Sequence, residues 1–209
     1  MIPRFARLAL VIGLLASGAY AQSNTLIDRL GVQTMTYFKI GTFCPCGTVL
    51  KKEFGTRVPI GLEARASTKY GFGAGLSVGV WWATAGKDIS TFVPVTLAGY
   101  YFRPLLDGAI APFGGLFLAY NSAQLYFAAG DTFVRARGAG MTGGFMLGVE
   151  VPFVDKFNLL ADCRFGFGRG AMEFDRPVGE ILAGKSNVTL SNTSLNLGIS
   201  LGFSDICLW

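Results

Sequence analysis

Candidate chemistry in this 209-residue chain comes down to a few charged and sulfur side chains. Lys39, Glu63, Arg65, Glu150, Asp162 and Arg164 each sit in a stretch that is otherwise small or apolar. Three acids and three bases of that kind can neutralise one another as buried pairs, or line a narrow ion path. Cys44-Pro45-Cys46 brings two thiols within two residues. A bridge between them closes a small, strained ring, and strained exposed bridges are labile. Free thiols, a redox pair and an intermolecular bridge all fit this spacing. Two thiolates are too few for a zinc-type site. Glu173, Asp175 and Glu180 could offer a carboxylate pair, although loop carboxylates are usually only solvated. The sequence holds no histidine. Mechanisms that need an imidazole base or an imidazole metal ligand are therefore excluded, and neither a cofactor nor a metal is expected.

The segments that carry these residues alternate. Thr193, Leu195, Leu197, Ile199, Leu201 and Phe203 share one parity, while Ser194, Asn196, Gly198, Ser200, Gly202 and Ser204 share the other. A strand puts those sets on opposite faces; a helix would mix them around its axis. The same period runs from Val58 to Ser67, Phe72 to Trp82, Met141 to Val151 and Phe157 to Gly168, and more weakly over Val32–Gly41, Thr91–Phe102 and Ala109–Tyr120. In the last of these, Phe113 and Phe117 blur the faces. Long uncharged stretches such as 108–130 invite a membrane-helix reading, but their apolar residues recur at every second position.

The fold class expected is therefore all-β: an eight-stranded antiparallel up-and-down barrel with an apolar outside in lipid. Eight is even, as single-chain bacterial membrane barrels require. The second face is Gly, Ser, Thr and Asn with a few charges, which suits a cramped polar lumen better than a solvated exterior. That contrast disfavours a soluble barrel or sandwich. Connections at Thr68-Lys69-Tyr70, 103–108 and 152–156 are short; those at 42–57, 121–137 and 169–192 are long. Short turns on one side and long loops on the other are the asymmetry of outer-membrane barrels. Hairpins symmetric about their turns would set Glu63 opposite Gly75, Arg65 opposite Gly73 and Arg164 opposite Gly144.

The N-terminus reads as a secretory signal peptide over residues 1–21. Arg4 and Arg7 precede the apolar run Leu8–Ala16, and Ala19-Tyr20-Ala21 is a small-x-small cleavage site. The mature domain would be 22–209. The net charge of +5 falls to +3 without the two leader arginines, and the remaining charges are scattered, so no nucleic-acid partner is expected. Trp82, Tyr101, Tyr120, Phe153, Phe165 and Phe203 lie near strand ends, where rings collect at lipid–water interfaces.

Three stretches carry a family resemblance. Val93-Pro94-Val95-Thr96-Leu97-Ala98-Gly99-Tyr100-Tyr101-Phe102 and Ala111-Pro112-Phe113-Gly114-Gly115-Leu116-Phe117-Leu118-Ala119-Tyr120 are similar to strands of small outer-membrane barrels of the OmpA, OmpX and opacity-protein type. The C-terminal strand, ending at Trp209, resembles the aromatic-ended signal read by the barrel-assembly machinery; either Trp209 or Phe203 would supply the aromatic. The resemblance implies a monomer in the outer membrane of a Gram-negative bacterium, among outer-membrane lipid and lipopolysaccharide. Enzymes among such barrels use a histidine that this chain lacks, so the role expected is non-enzymatic. It is structural or surface-interacting through long outer loops, where Tyr126, Phe127, Phe133, Arg135 and Arg137 are candidate contacts for a surface partner. The alternative is a narrow ion or small-solute channel.

Overall fold

The computed structural model describes residues 31–47, 51, 56–85, 88–129, 132–154, 157–177 and 183–202. Among the described residues nine strand segments run β1 (Gln33–Pro45), β2 (Ile60–Ser67), β3 (Phe72–Ala85), β4 (Asp88–Phe102), β5 (Ala111–Ala129), β6 (Thr132–Val154), β7 (Phe157–Phe174), β8 (Gly184–Thr189) and β9 (Asn192–Gly202). Consecutive strands pair antiparallel, β8 and β9 both pair with β7, and β9 closes onto β1. Leu190 continues the ladder through its N–H to the Gly168 carbonyl (2.9 Å), so β8 and β9 are two parts of one stave. The result is a closed barrel of eight staves. A walk along paired residues from Ile199 through Phe38, Leu62, Val78, Val95, Tyr120, Met141 and Arg169 returns to the last stave at Thr189, ten residues away. That stagger is the shear, and it makes the staves tilt against the barrel axis.

The expected alternation sorts the faces. Phe38, Leu62, Leu97, Leu116, Leu118, Leu147, Leu195 and Leu197 point outward and are each more than half exposed. Lys39, Glu63, Arg65, Thr96, Asp162, Arg164, Asn196 and Ser200 point inward and are buried. From Phe72 to Trp82, β3 spans the depth that a tilted strand needs to cross hydrocarbon, about 9–11 residues. Exposed Tyr101 and Phe153 lie toward the short-turn end, and exposed Trp82 and Tyr120 toward the other. Phe165 sits deeper and stacks on Phe145 at 4.9 Å. Phe203, Trp209 and residues 1–21 lie outside the described residues.

The long-hairpin end departs from expectation. Most of 121–137 and much of 169–192 are paired strand rather than loop. Tyr126 and Phe127 belong to β5, and Phe133, Arg135 and Arg137 to β6. Cys44 likewise lies within β1, opposite Thr193, with only Cys46 beyond the strand. The reason is a change on the outward face. Along β5 the odd positions Phe113, Phe117, Ala119, Ala123 and Leu125 are apolar and buried, while the even, outward positions are apolar up to Tyr120 and polar at Ser122 and Gln124. Val134 and Ala136 on β6, Met172 and Phe174 on β7, and Val188 on β8 are buried in the same way. The strands continue there with a polar outside and an apolar inside, as in a water-soluble barrel.

Two registers also differ from the symmetric expectation. Glu63 faces Ser77 and Arg65 faces Gly75. Between β2 and β3, Gly71 donates its N–H to Thr68 O (3.0 Å), and Thr68 N–H closes on Phe72 O (2.8 Å). Gly71 has φ +88°, so this is a three-residue loop with a left-handed third residue, which shifts the pairing by two. Arg164 faces Met146 rather than Gly144, because β6 runs on to Val154, which pairs with Phe157, and the hairpin is centred later than a connection over 152–156 would place it. A Cβ on Gly71 would also press on Phe102 O and the Tyr101 ring. Gly71→Ala is expected to cost about 1–3 kcal/mol, seen as a lower urea midpoint in micelles with the folded gel mobility retained at low urea.

Candidate functional site

The six charged residues expected in the lumen do meet there. β1 contributes Lys39, β2 Glu63 and Arg65, β6 Glu150, and β7 Asp162 and Arg164; i, i+2 spacing keeps each pair on the inner face. Glu63 is the hub. Its Oε2 accepts from Lys39 Nζ (2.9 Å) and Arg164 Nη2 (2.5 Å), and its Oε1 from Arg65 Nε (2.5 Å). Asp162 is the second acceptor. It takes Lys39 Nζ on one oxygen, and Arg164 Nε (2.9 Å) and Asn196 Nδ2 (2.8 Å) on the other. Glu63 and Asp162 are each 1% exposed, so the network has little water to lean on. Glu150 lies at the edge, 4.0 Å from Arg65 Nη1, and accepts from Asn158 Nδ2 (2.7 Å). Three cations thus balance three carboxylates.

Arg65 is held in a second way. Its guanidinium carbon lies 5.3, 4.9 and 4.5 Å from the ring centres of Tyr37, Tyr100 and Phe113. Its terminal nitrogens make no hydrogen bond among the described residues and stand 4.0 Å from the carboxylates of Glu150 and Asp162. A delocalised cation against ring faces, away from water, is a favourable arrangement that a lysine ammonium reproduces poorly. Gly75 stands opposite, and a Cβ there would make ordinary van der Waals contact with Arg65 Cγ at 3.5 Å.

The lumen is therefore layered. At the short-turn end, Tyr37, Tyr100, Phe113, Phe117, Met146 and Leu160 form an apolar layer. The ionic network lies above it. Next come amides and hydroxyls, with Asn121 Nδ2 donating to Thr142 Oγ1 (3.1 Å). A cavity of about 90 Å³ lies beside Lys39, Arg164, Asn121 and Asn196. At the long-hairpin end, Phe43, Trp81, Phe92, Leu125, Val134, Met172, Phe174, Val188 and Leu190 pack into a second apolar layer. Trp81 stacks on Phe92 at 5.4 Å. Neither aromatic layer was expected as lumen filling; Phe113 and Phe117 only blurred the face pattern, and the signal lay in their shared parity with Ala119.

No protein-family model matches the chain, and no curated protein sequence does. Solved structures match it along its length. The crystal structure of Neisserial surface protein A aligns with a TM-score of 0.52 at 12% identity, covering 83% of this chain and 97% of that one. The outer membrane protein OprG from Pseudomonas aeruginosa aligns with a TM-score of 0.59 at 12% identity, covering 82% and 96%. The chain has the fold of the small outer-membrane β-barrels.

In this outer-membrane-type barrel, the other candidate residues stand apart from the lumen network. Cys44 and Cys163 are partly exposed and Cys46 exposed, all three as free thiols, with Cys44 Sγ 3.4 Å from Thr56 Oγ1. Glu173 is bonded to Arg137 (3.1 Å) and Asp175 accepts from the Arg135 N–H (2.9 Å) on the outer surface; Glu180 lies outside the described residues. Among the described residues no group of three or more Cys, Asp or Glu is arranged to hold a metal.

Removing one partner from a buried ionic network leaves an uncompensated charge. Glu63→Ala is expected to destabilise the barrel by about 3–5 kcal/mol, and the exposed-pair variant Arg137→Ala by about 1 kcal/mol or less. Urea titration in micelles, followed by tryptophan fluorescence, compares the two; equal midpoints would refute the hub role. Arg65→Lys keeps the charge but loses the ring contacts, for an expected cost of about 1–2 kcal/mol.

Proposed function

We propose that the chain is exported, loses residues 1–21, and resides as a monomeric, non-enzymatic barrel in the bacterial outer membrane, with 22–209 as its mature domain. The long-hairpin end faces outward and the chain termini face the periplasm. Its work is done by its surface: it stabilises the envelope and contacts outer-leaflet lipid, lipopolysaccharide or a surface partner. The assembly machinery is its partner during biogenesis.

The observation that carries this reading is the filled lumen. A continuous ion path would have to pass two apolar layers and a network in which every carboxylate is engaged. An eight-stave barrel is just wide enough for side chains to fill, and here they leave only a cavity of about 90 Å³ among the described residues. A transport role would instead need a wetted axis through the barrel. The apolar outer belt supports lipid as the surrounding solvent, because contiguous exposed apolar surface of this extent is disfavoured in water. The absence of histidine, and the exposed, cation-paired state of Glu173, support a role without catalysis.

Planar-bilayer recording tests the reading. The refolded barrel is expected to insert without stable conductance steps, and vesicles carrying it are expected to keep entrapped small sugars. Reproducible open steps, or sugar release, would favour the channel instead.

A further inference from the structure

We infer that the outward face of β6, β7 and β8, just beyond the apolar belt, binds the phosphate of an outer-leaflet glycolipid. This rests on the membrane reading above and names a site for it. Paired residues form a shelf of small side chains across neighbouring strands, Ser122–Ala139–Ala171–Asn187. One paired row further from the belt runs Gln124–Arg137–Glu173–Lys185. One row nearer the belt runs Tyr120–Met141–Arg169–Thr189. Long side chains on both rows and short ones between them make a groove, with a volume of about 610 Å³ where Ser122, Gln124, Arg137, Glu173 and Lys185 line it.

The charge of this groove is one-sided. Among the described residues Arg137, Lys185 and the one acid Glu173 line it and Arg169 lies one row nearer the belt, while Arg135, stacked 5.4 Å over the Tyr126 ring, flanks it together with Asp175. Outward residues near the same end of β1 and β3, namely Thr42, Cys44 and Trp82, carry no charge. Among the described strand positions, the outward cations at this level lie on β6, β7 and β8. Its height matches a lipid headgroup: Tyr120 and Met141 below it are exposed apolar residues of the belt's upper edge. Acyl chains would lie on the belt while the phosphate reached the cations. Guanidinium groups offer paired donors suited to phosphate oxygens, and a phosphate could share Arg137, which is 80% exposed and bonded to Glu173 at 3.1 Å.

Native mass spectrometry of the full-length refolded barrel in micelles tests the site. The probes are phosphorylated lipid A, the same lipid A after phosphatase treatment, and inorganic phosphate as competitor. The phosphorylated lipid is expected to be retained at least about tenfold better than the stripped form, and millimolar inorganic phosphate is not expected to displace it. The triple variant Arg137→Ala, Arg169→Ala, Lys185→Ala is expected to lose that preference, while Glu173→Gln, which removes the competing carboxylate, raises retention. These side chains lie on the outer surface, and folded gel mobility is read alongside. Equal retention of the two lipid forms, displacement by inorganic phosphate, or an unchanged preference in the triple variant would overturn the site. Failure of the barrel to enter vesicles at all would instead overturn the membrane reading beneath it.

Discussion

Closure of β1 onto β9 is the constraint on which the rest of this protein depends. A strand in hydrocarbon has no water to satisfy its N–H and C=O groups, so the sheet must end on itself. The eleven paired positions from Met35–Gly202 to Pro45–Asn192 provide that seam. Once it forms, eight staves staggered by ten residues set the width of the lumen, and every inward side chain must fit it. Large inward residues are accommodated by glycine across the ladder. Gly73 lies under the Tyr100 ring and Gly148 under the Phe113 ring.

Inside that width, burial makes electrostatics a matter of accounting by individual atoms. A lone carboxylate at the position of Glu63 would be costly; with three cationic donors it becomes the centre that ties β1, β2 and β7 together. Such a network contributes little net stability over a well-packed apolar filling, because desolvation offsets most of the attraction. What it contributes is register. A slip of β7 by one residue would turn Asp162 and Arg164 into lipid and Cys163 into the lumen. The ionic layer thus specifies which way the staves face, and the apolar layers on either side exclude water and strengthen its bonds.

Much of this was legible in the sequence, and the part that was not has a physical reason. Period-two alternation over Met141–Val151 and 193–202 marked strands and their outward faces, and the isolated charges at 39, 63, 65, 150, 162 and 164 marked the lumen. The register was missed because Gly71 takes a left-handed conformation that a symmetric turn does not include, and because β6 runs on to pair Val154 with Phe157. The long hairpins read as loops because the outward positions turn polar after Tyr120. A pattern reader that expects one solvent sees a phase break there and ends the strand. The cage around Arg65 joins residues from β1, β4 and β5, and no local pattern links Tyr37, Tyr100 and Phe113.

That change on the outward face is itself a depth gauge. A side chain's preference for the outside depends on the solvent there, so the point where Leu116, Leu118 and Tyr120 give way to outward Ser122 and Gln124 marks the edge of hydrocarbon. Beyond that edge the same barrel must stand in water, and it can do so only by placing its apolar residues inside. Leu125, Val134, Met172 and Phe174 meet that need, and in meeting it they close the lumen. The seal at this end thus follows from continuing the strands past the membrane. The same continuation puts a rigid, hydrogen-bonded sheet face, rather than a loose loop, at the level of the lipid headgroups. Fixed cations on such a face lose little conformational entropy when they engage a ligand, which is the physical ground for placing recognition on the outer wall of this barrel rather than along its axis.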